Sequence, residues 1–437
     1  MSIQNFPAQL QGIIQQNYLE REFEEPLKSK IAYRSIADRE TVPNKIGETV
    51  TKTRAGLKAP VTTASNPSTN TNLDNGMTPS TYSVEQYTLT LNQYNDTIDL
   101  NIVTNKVGIA DQFLKNARVN GTQAAQSLDR IARNKLFNAY LGGNTRVRTT
   151  LGAPAATIAV DDIRGFQTTF NAVGQQVAVS GANTVNVLVG SNTYTLQTAT
   201  ADGSNVSTAF GGISGTLTFT GNVTVADGTA LNAVVHANAP TILRPSGRAT
   251  TAALTGADIL TMGLLLDGQA QLRNNAPMEA GNMKCFLDNK SMRQLFADPD
   301  FKTLFQGQYG SKEYTDGMIF SLLGIDFVPT TEAPVQPAAG AVNVTVRRPI
   351  LTIGGALVEG DFAGSGEMLE NESQIVSMVD EVVMVTRPPL DRLGQIIAQS
   401  WYWIGDFCAP SDQTTNQNIV PTASNAYYKR GVVFETA

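Results

Sequence analysis

The sequence predicts an α+β fold interrupted by an all-β insertion, and three observations predict it. Gln123–Leu141 has helical spacing, with Ala125, Leu128, Ala132, Leu136, Ala139 and Tyr140 on one face. Asn171–Thr250 then holds no charged side chains except Asp202, Asp227, Arg244 and Arg248, and its short alternating runs sit between Gly, Asn and Ser turns. Beyond it, strand and helix signals return as a strand–helix–strand unit. At 437 residues, two or more domains are the default.

The elements follow in order. Ala8–Phe23 reads as a polar helix with a narrow stripe of Leu10, Ile13, Ile14, Tyr18 and Leu19, followed by Glu20, Glu22, Glu24, Glu25 and a stop at Pro26. A stripe this thin anchors poorly to its own domain, so the segment reads as an arm that needs a partner surface. Lys45–Arg54 and Val84–Tyr94 alternate as two strands. The span Leu57–Pro79 between them is rich in Pro, Asn, Ser and Thr and has no core of its own. It is either a disordered loop or a strap laid on a neighbouring molecule.

The helix Gln123–Leu141 keeps Arg130 and Arg133 off its apolar face and ends at Gly142-Gly143. In the insertion, Thr184–Val189, Thr193–Thr198, Thr216–Thr220 and Ala233–His236 read as sandwich-like strands. Hairpin signals fall at Gly190-Ser191-Asn192 and Ala226-Asp227-Gly228. The insertion is expected to be a projecting module that a short linker could replace. Thr255–Asp258 reads as a capping box for a helix running to Gly268. Met283–Leu287 is a buried strand with Cys285 in the core, and Asp288 caps a helix Ser291–Ala297 stopped by Asp298-Pro299. Leu322–Pro329, Ile375–Thr386, Gln395–Phe407 and Tyr427–Phe434 are the remaining strands. The last is expected to pair with an earlier part of the fold.

Composition limits the chemistry. One histidine, His236, and two distant cysteines, Cys285 and Cys408, make a zinc site, a Ser-His-Asp triad or a Cys-His dyad hard to build. His236 lies in apolar surroundings and reads as structural. No G-x-S-x-G, P-loop or G-x-G-x-x-G is found, and Gly364-Ser365-Gly366 reads as a turn. Asp161-Asp162 and Asp380-Glu381 read as surface pairs. Arg347-Arg348 and Lys45, Lys52, Arg54 and Lys58 are basic clusters without the aromatics of a single-strand groove. Trp401-Tyr402-Trp403 reads as core plus a contact surface. No catalytic, cofactor-binding or metal-binding residue is nominated. The net charge of −6 gives no support to bulk attraction for nucleic acid. No stretch reads as a membrane span or a secretory signal, so a soluble, cytoplasmically made protein without disulfides is expected.

The order of the pieces resembles the major capsid protein fold of tailed phages, the Johnson fold. The resemblance rests on the acidic arm, the Thr/Val-rich hairpin, the long helix, MKCFLDNKSMRQLF (Met283–Phe296), LLGIDFVPTTEAP (Leu322–Pro334), VVMVTRPPLDRLG (Val382–Gly394) and AYYKRGVVFE (Ala426–Glu435). It implies an N-terminal arm at 1–40, an E-loop hairpin at 41–103, and a spine helix with peripheral domain at 104–154. An inserted β domain at 155–252, an axial domain at 253–374 and returning strands of the peripheral domain at 375–437 complete the division. In relatives with an inserted domain, such as that of a Salmonella phage, the insertion falls later in the chain, so its role there does not transfer.

The function implied is a structural, non-enzymatic subunit that self-assembles as pentamers and hexamers into an icosahedral virion shell. Such a shell encloses double-stranded DNA without sequence-specific binding and has no membrane partner. Scaffolding, portal and decoration proteins are the other partners implied, with assembly in the host cytoplasm. Some relatives crosslink a hairpin lysine to an asparagine of the next subunit, but nothing here marks an acceptor for Lys45, Lys52 or Lys58. An encapsulin-type compartment shares the fold, and a secreted β-rich adhesin accounts for the insertion alone.

Overall fold

The computed structural model describes residues 32–42, 49–55, 84–101, 112–171, 175–237, 239–275, 282–306, 321–337, 344–362, 376–379, 381–387, 392–393, 395–410 and 430–437. The expected helix Ala8–Phe23, the span Leu57–Pro79 and the turn Gly364–Gly366 lie outside the described residues, as do Lys45, Lys58 and Asp380. The chain divides into two compact units, one of residues 1–50, 88–135 and 357–408, the other of 51–87, 136–356 and 409–437.

The first unit is organised by the 13-residue strand Ile396–Cys408. Asn92–Asn101, Val382–Arg387 and Leu357–Phe362 all pair with it antiparallel, and Ala37–Val42 adds in parallel to Leu357–Phe362. Its alternation turns Gln399, Trp401, Trp403 and Phe407 inward and leaves Tyr402 half-buried. Two expected strands are each divided. Val84–Tyr94 becomes Val84–Thr90, which pairs with Thr49–Ala55 in a two-stranded ribbon, and Asn92–Asn101, which joins the main sheet. Ile375–Thr386 becomes the hairpin Val376–Val379 and Val382–Arg387, turned through Glu381 at φ 70°.

Helix α1 spans Gln112–Tyr140 and starts eleven residues before the expected Gln123. Asn120-Gly121 breaks the helical signal in the sequence. In the fold Asn120 is buried and donates to the Gln399 carbonyl at 3.1 Å, so tertiary contact carries the helix past its glycine. Ala125, Leu128, Ala132, Leu136 and Tyr140 are buried as expected, and Ala139 is half-buried. Arg133, off the apolar face, is buried as well. The turn Leu141–Gly143 ends the helix at the expected glycines.

The second unit contains a closed antiparallel barrel and an α/β layer. The barrel order is Asn144–Arg146, Ala233–His236, Val185–Val189, Asn192–Ala201, Gly215–Val223 and Ala155–Val160. Val147 bridges Val160, and Arg148 N donates to Ala159 O at 2.8 Å, so the first strand meets the last. Closure replaces the expected sandwich and removes free edges. The ring includes Asn144–Arg146, upstream of the boundary expected at 155. Alternation along the strands fills the interior with Ile158, Val187, Val189, Leu196, Leu217, Phe219 and Val234. Gly190-Ser191 makes the expected two-residue turn between Val189 and Asn192, with Gly190 at φ 60°. Ala226–Gly228 forms no hairpin, because Gly215–Val223 and Ala233–His236 are not neighbours in the barrel.

In the layer, Met283–Leu287 runs parallel to Ile325–Pro329 through α3 (Asn289–Ala297) and α4 (Pro299–Gln306), and α2 (Met262–Asn275) packs on the same core. Asp288 caps α3 as expected, accepting from Ser291 N and Lys290 N. The Thr255–Asp258 box is a correction. Asp258 binds Thr255 N and Oγ1 ahead of the helix, while Asp298 accepts from Met262 N at 2.7 Å and Asp300 N at 3.2 Å. One carboxylate therefore serves the starts of α2 and α4. Asp298-Pro299 ends α3 at Ala297 as expected, with Asp298 extended at φ −67° and ψ 126°, and Pro299 opens α4. Gly431–Phe434 lies between Ile350–Thr352 and Ile242–Leu243, the expected return to an earlier part of the fold.

Candidate functional site

Among the described residues, no group of three or more His, Cys, Asp or Glu could hold a metal ion. No helix among them is long and apolar enough to cross a membrane. His236 is buried edge-on to Phe166 at 5.9 Å, and its backbone N–H donates to Gly143 O. Cys285 is fully buried, and burial pushes its thiol up to about 12, which leaves it inert near neutral pH. Three networks of hydrogen-bonded polar side chains stand out among the described residues.

The first is a buried relay between barrel and layer. Asp161 accepts from Thr208 N at 2.9 Å and Thr208 Oγ1 at 2.7 Å, with Arg146 at 3.5 Å. Gln336 Nε2 donates to Asp161 Oδ2 at 2.7 Å, and Gln336 Oε1 accepts from Arg348 Nη2 at 2.5 Å. Arg348 and Arg244 then grip the two oxygens of Glu435 at 3.0 and 2.7 Å, with Thr251 donating at 2.7 Å. Burial alone would raise the Glu435 carboxyl; Arg348 and Arg244 outweigh it and hold the group below its ordinary value. Asp162 is clasped by Arg164, whose Nε and Nη2 donate at 2.8 and 2.6 Å. Asp161-Asp162 is thus a buried pair and not the expected surface one. The expected basic cluster Arg347-Arg348 is equally absorbed, with Arg347 paired to Asp288. Sequence carries no signal for Gln336, a lone amide in a two-residue strand.

The second is Asp227. It accepts from Ser191 N at 3.0 Å, Asn192 Nδ2 at 2.8 Å, Tyr194 Oη at 2.6 Å and Thr224 Oγ1 at 2.8 Å. Burial raises its carboxyl, but the bonds from Tyr194, Asn192, Ser191 and Thr224 win and push it far below the ordinary range. The residue nominated as a hairpin turn instead bolts the neighbouring hairpin in place.

The third, in the first unit, is a clamp on the segment Ala32–Ile36. Asp129 Oδ1 of α1 accepts from Ala32 N at 2.9 Å and Arg34 N at 3.2 Å. Arg34, itself buried, donates through Nε and Nη2 to Glu359 at 2.9 and 2.5 Å and lies 3.5 Å from Glu381. Glu381 is raised from its ordinary value by burial and by Asp361, against the pull of Arg39 and Arg34. Leu89 is buried against Gly360, where a Cβ would stand 2.1 Å from a Leu89 methyl, while Thr49, Thr51, Thr53, Thr88 and Thr90 are exposed.

No family model and no curated protein matches the sequence. Among solved structures, the chain is similar to the capsid of the cyanophage P-SCSP1u, at 10% identity over 93% of this chain and 88% of that one, with a TM-score of 0.49. It is similar to the capsid of Ralstonia phage GP4, at 10% identity over 94% and 90%, with a TM-score of 0.48. It is also similar to the mature capsid of bacteriophage PhiM1, at 8% identity over 93% and 87%, with a TM-score of 0.47. All three are phage capsid structures.

Proposed function

We propose that this chain is a structural subunit of the icosahedral shell of a tailed bacteriophage, assembling as pentamers and hexamers around packaged double-stranded DNA. The observation that carries the reading is the ribbon Thr49–Ala55 with Val84–Thr90. Two strands with exposed threonines on their described part, pinned by Leu89, have too little private core to stand alone. Burial against another copy supplies the missing contact, at about 25 cal/mol per Å² of apolar surface. The succession of ribbon, long helix, inserted barrel, α/β layer and returning strands supports the same reading. In this role the protein has no catalytic step. It works in the virion after assembly in the host cytoplasm, with scaffolding, portal and decoration proteins as further partners.

The test is assembly of the full chain, followed by light scattering and negative-stain imaging. Capsomer rings or closed shells are expected. Only monomers across salt, crowding and added scaffold would overturn the reading.

A further inference from the structure

The barrel carries an apolar knob at one end and an apolar groove at the other. The loop between Asn192–Ala201 and Gly215–Val223 holds Val206, Phe210 and Ile213, which are 55%, 42% and 39% exposed. It is braced from within. Asn205 Nδ2 donates to Gly212 O at 2.7 Å, Asn205 Oδ1 accepts from Ser207 N and Ser214 N, and Ser214 Oγ accepts from Val206 N. No residue from Gly203 to Ser214 is charged. A braced, uncharged loop that presents three apolar side chains has the character of a contact element.

The groove, of about 460 Å³, lies at the other end, where Gly190 and Ser191 turn the chain. Ala226, Leu231, Ala233, Ala252 and Ala253 line it. Its one charged residue, Asp227, is already held by Ser191, Asn192, Tyr194 and Thr224. The groove therefore offers a charged partner no free counter-charge, and an uncharged apolar one fits it. Leu231 is 49% exposed and sits at φ 74°, a left-handed conformation that Asn or Gly adopts at less cost. The fold gains little from a half-exposed leucine held in strain, so this side chain reads as a contact residue.

Asn192–Ala201 runs between the two ends, roughly 30 Å for its 10 residues, so the loop cannot fill the groove of its own copy. A knob and a groove on opposite ends of one closed barrel suit copies joined head to tail. We propose that Phe210, with Val206 and Ile213, seats in the Leu231 groove of a second copy of this chain. The contact deepens the shell reading, on which the neighbouring copy rests. Three side chains bury far less than the roughly 800 Å² per partner of a stable interface, so the contact adds to others and does not hold a dimer by itself.

Photocrosslinking of the full-length protein tests it. A chain with p-benzoylphenylalanine in place of Phe210 is mixed with ¹⁵N-labelled unsubstituted chain, assembled and irradiated. Links from position 210 to the peptides holding Leu231 or Ala252-Ala253 are expected in mixed-isotope pairs. Leu231→Asn in the labelled partner suits the left-handed backbone. It is expected to lower the link at least fivefold while the melting temperature stays level or rises. Shells whose links from position 210 fall elsewhere, or only within one copy, overturn the proposal and leave the shell reading standing. Linked open chains without shells do the reverse. An unchanged link with Leu231→Asn, or a lost link with a lower melting temperature, also overturns the proposal. Monomers without links at high concentration overturn both. Should the chain substituted at Phe210 fail to fold, the same probe at Val206 takes its place with the same outcomes.

Discussion

Gln336 and Asp161, 175 residues apart in sequence, meet through a 2.7 Å hydrogen bond that joins the α/β layer to the barrel. Gln336 is neutral, yet it stands between a buried carboxylate and the buried guanidinium of Arg348, and it satisfies both. Gln336→Leu would take one hydrogen bond from each of two buried charged groups, leaving Asp161 with Thr208 and Arg146 and Arg348 with Glu435. The expected loss is about 3 kcal/mol, read as a lower denaturant midpoint at unchanged slope. Replacing 155–252 with a linker is expected to cost more than removal of a free-standing module, because it cuts this relay and takes five of the six barrel strands while leaving Asn144–Arg146 behind.

Asp227 sets an acid limit on the barrel. Its folded-state value lies below its unfolded one, so its contribution is complete above about pH 4 and is lost as pH falls through the folded value. Asp227→Ala leaves Ser191 N, Asn192, Tyr194 and Thr224 short of an acceptor. We expect a loss of about 2–3 kcal/mol at pH 7 that shrinks on acidification, measured by thermal melts from pH 7 to pH 2.

Glu381 works in the opposite sense. Its folded-state value is raised, so the fold favours its protonated form, and the benefit is lost as pH rises through that value. Glu381→Gln keeps the shape without the charge. The variant is expected to melt at or a few degrees above the parent at pH 7, with the gap closing near pH 4. A clear drop at pH 7 would mean that Arg34 and Arg39 need the ionised group.

Gly268 reads as a helix stop in the sequence, yet α2 runs through it to Asn275. A Cβ there would stand 2.5 Å from Phe434 Cζ, so the glycine makes room for the ring of the last strand. Gly268→Ala is expected to destabilise by about 1–3 kcal/mol despite its better helix propensity. Adding Phe434→Leu should recover part of that loss in a double-mutant cycle.

Cys285 should resist thiol reagents at pH 8 in the native protein and react at once on denaturation, since burial holds its thiol near 12. Stoichiometric native labelling would place the strand Met283–Leu287 outside the core.

Local signals were legible wherever short-range chemistry decides structure. Asp288 capping α3, the Gly190-Ser191 turn and the alternation of Trp401 and Trp403 all follow from residues a few positions apart. Contacts between distant residues were not legible. Asn120-Gly121 looks like a helix boundary until Gln399 arrives beneath it, and Asp161-Asp162 looks like surface until Gln336 and Arg164 enclose it. A sandwich and a closed barrel share one alternation pattern, and the pairing of Val147-Arg148 with Ala159-Val160 separates them. The clamp of Arg34 on Glu359 spans 325 positions and leaves no local mark.

The strand Ile396–Cys408 imposes an order in time. Asn92–Asn101 finds its partner about 300 residues later in translation. At roughly 5–20 residues per second the ribosome needs about 15–60 s to deliver it. For that interval the nascent chain carries an unfinished sheet, and surfaces that depend on that sheet cannot yet exist. A chain halted before Ile396 would therefore lack the strand on which the first unit's sheet is organised.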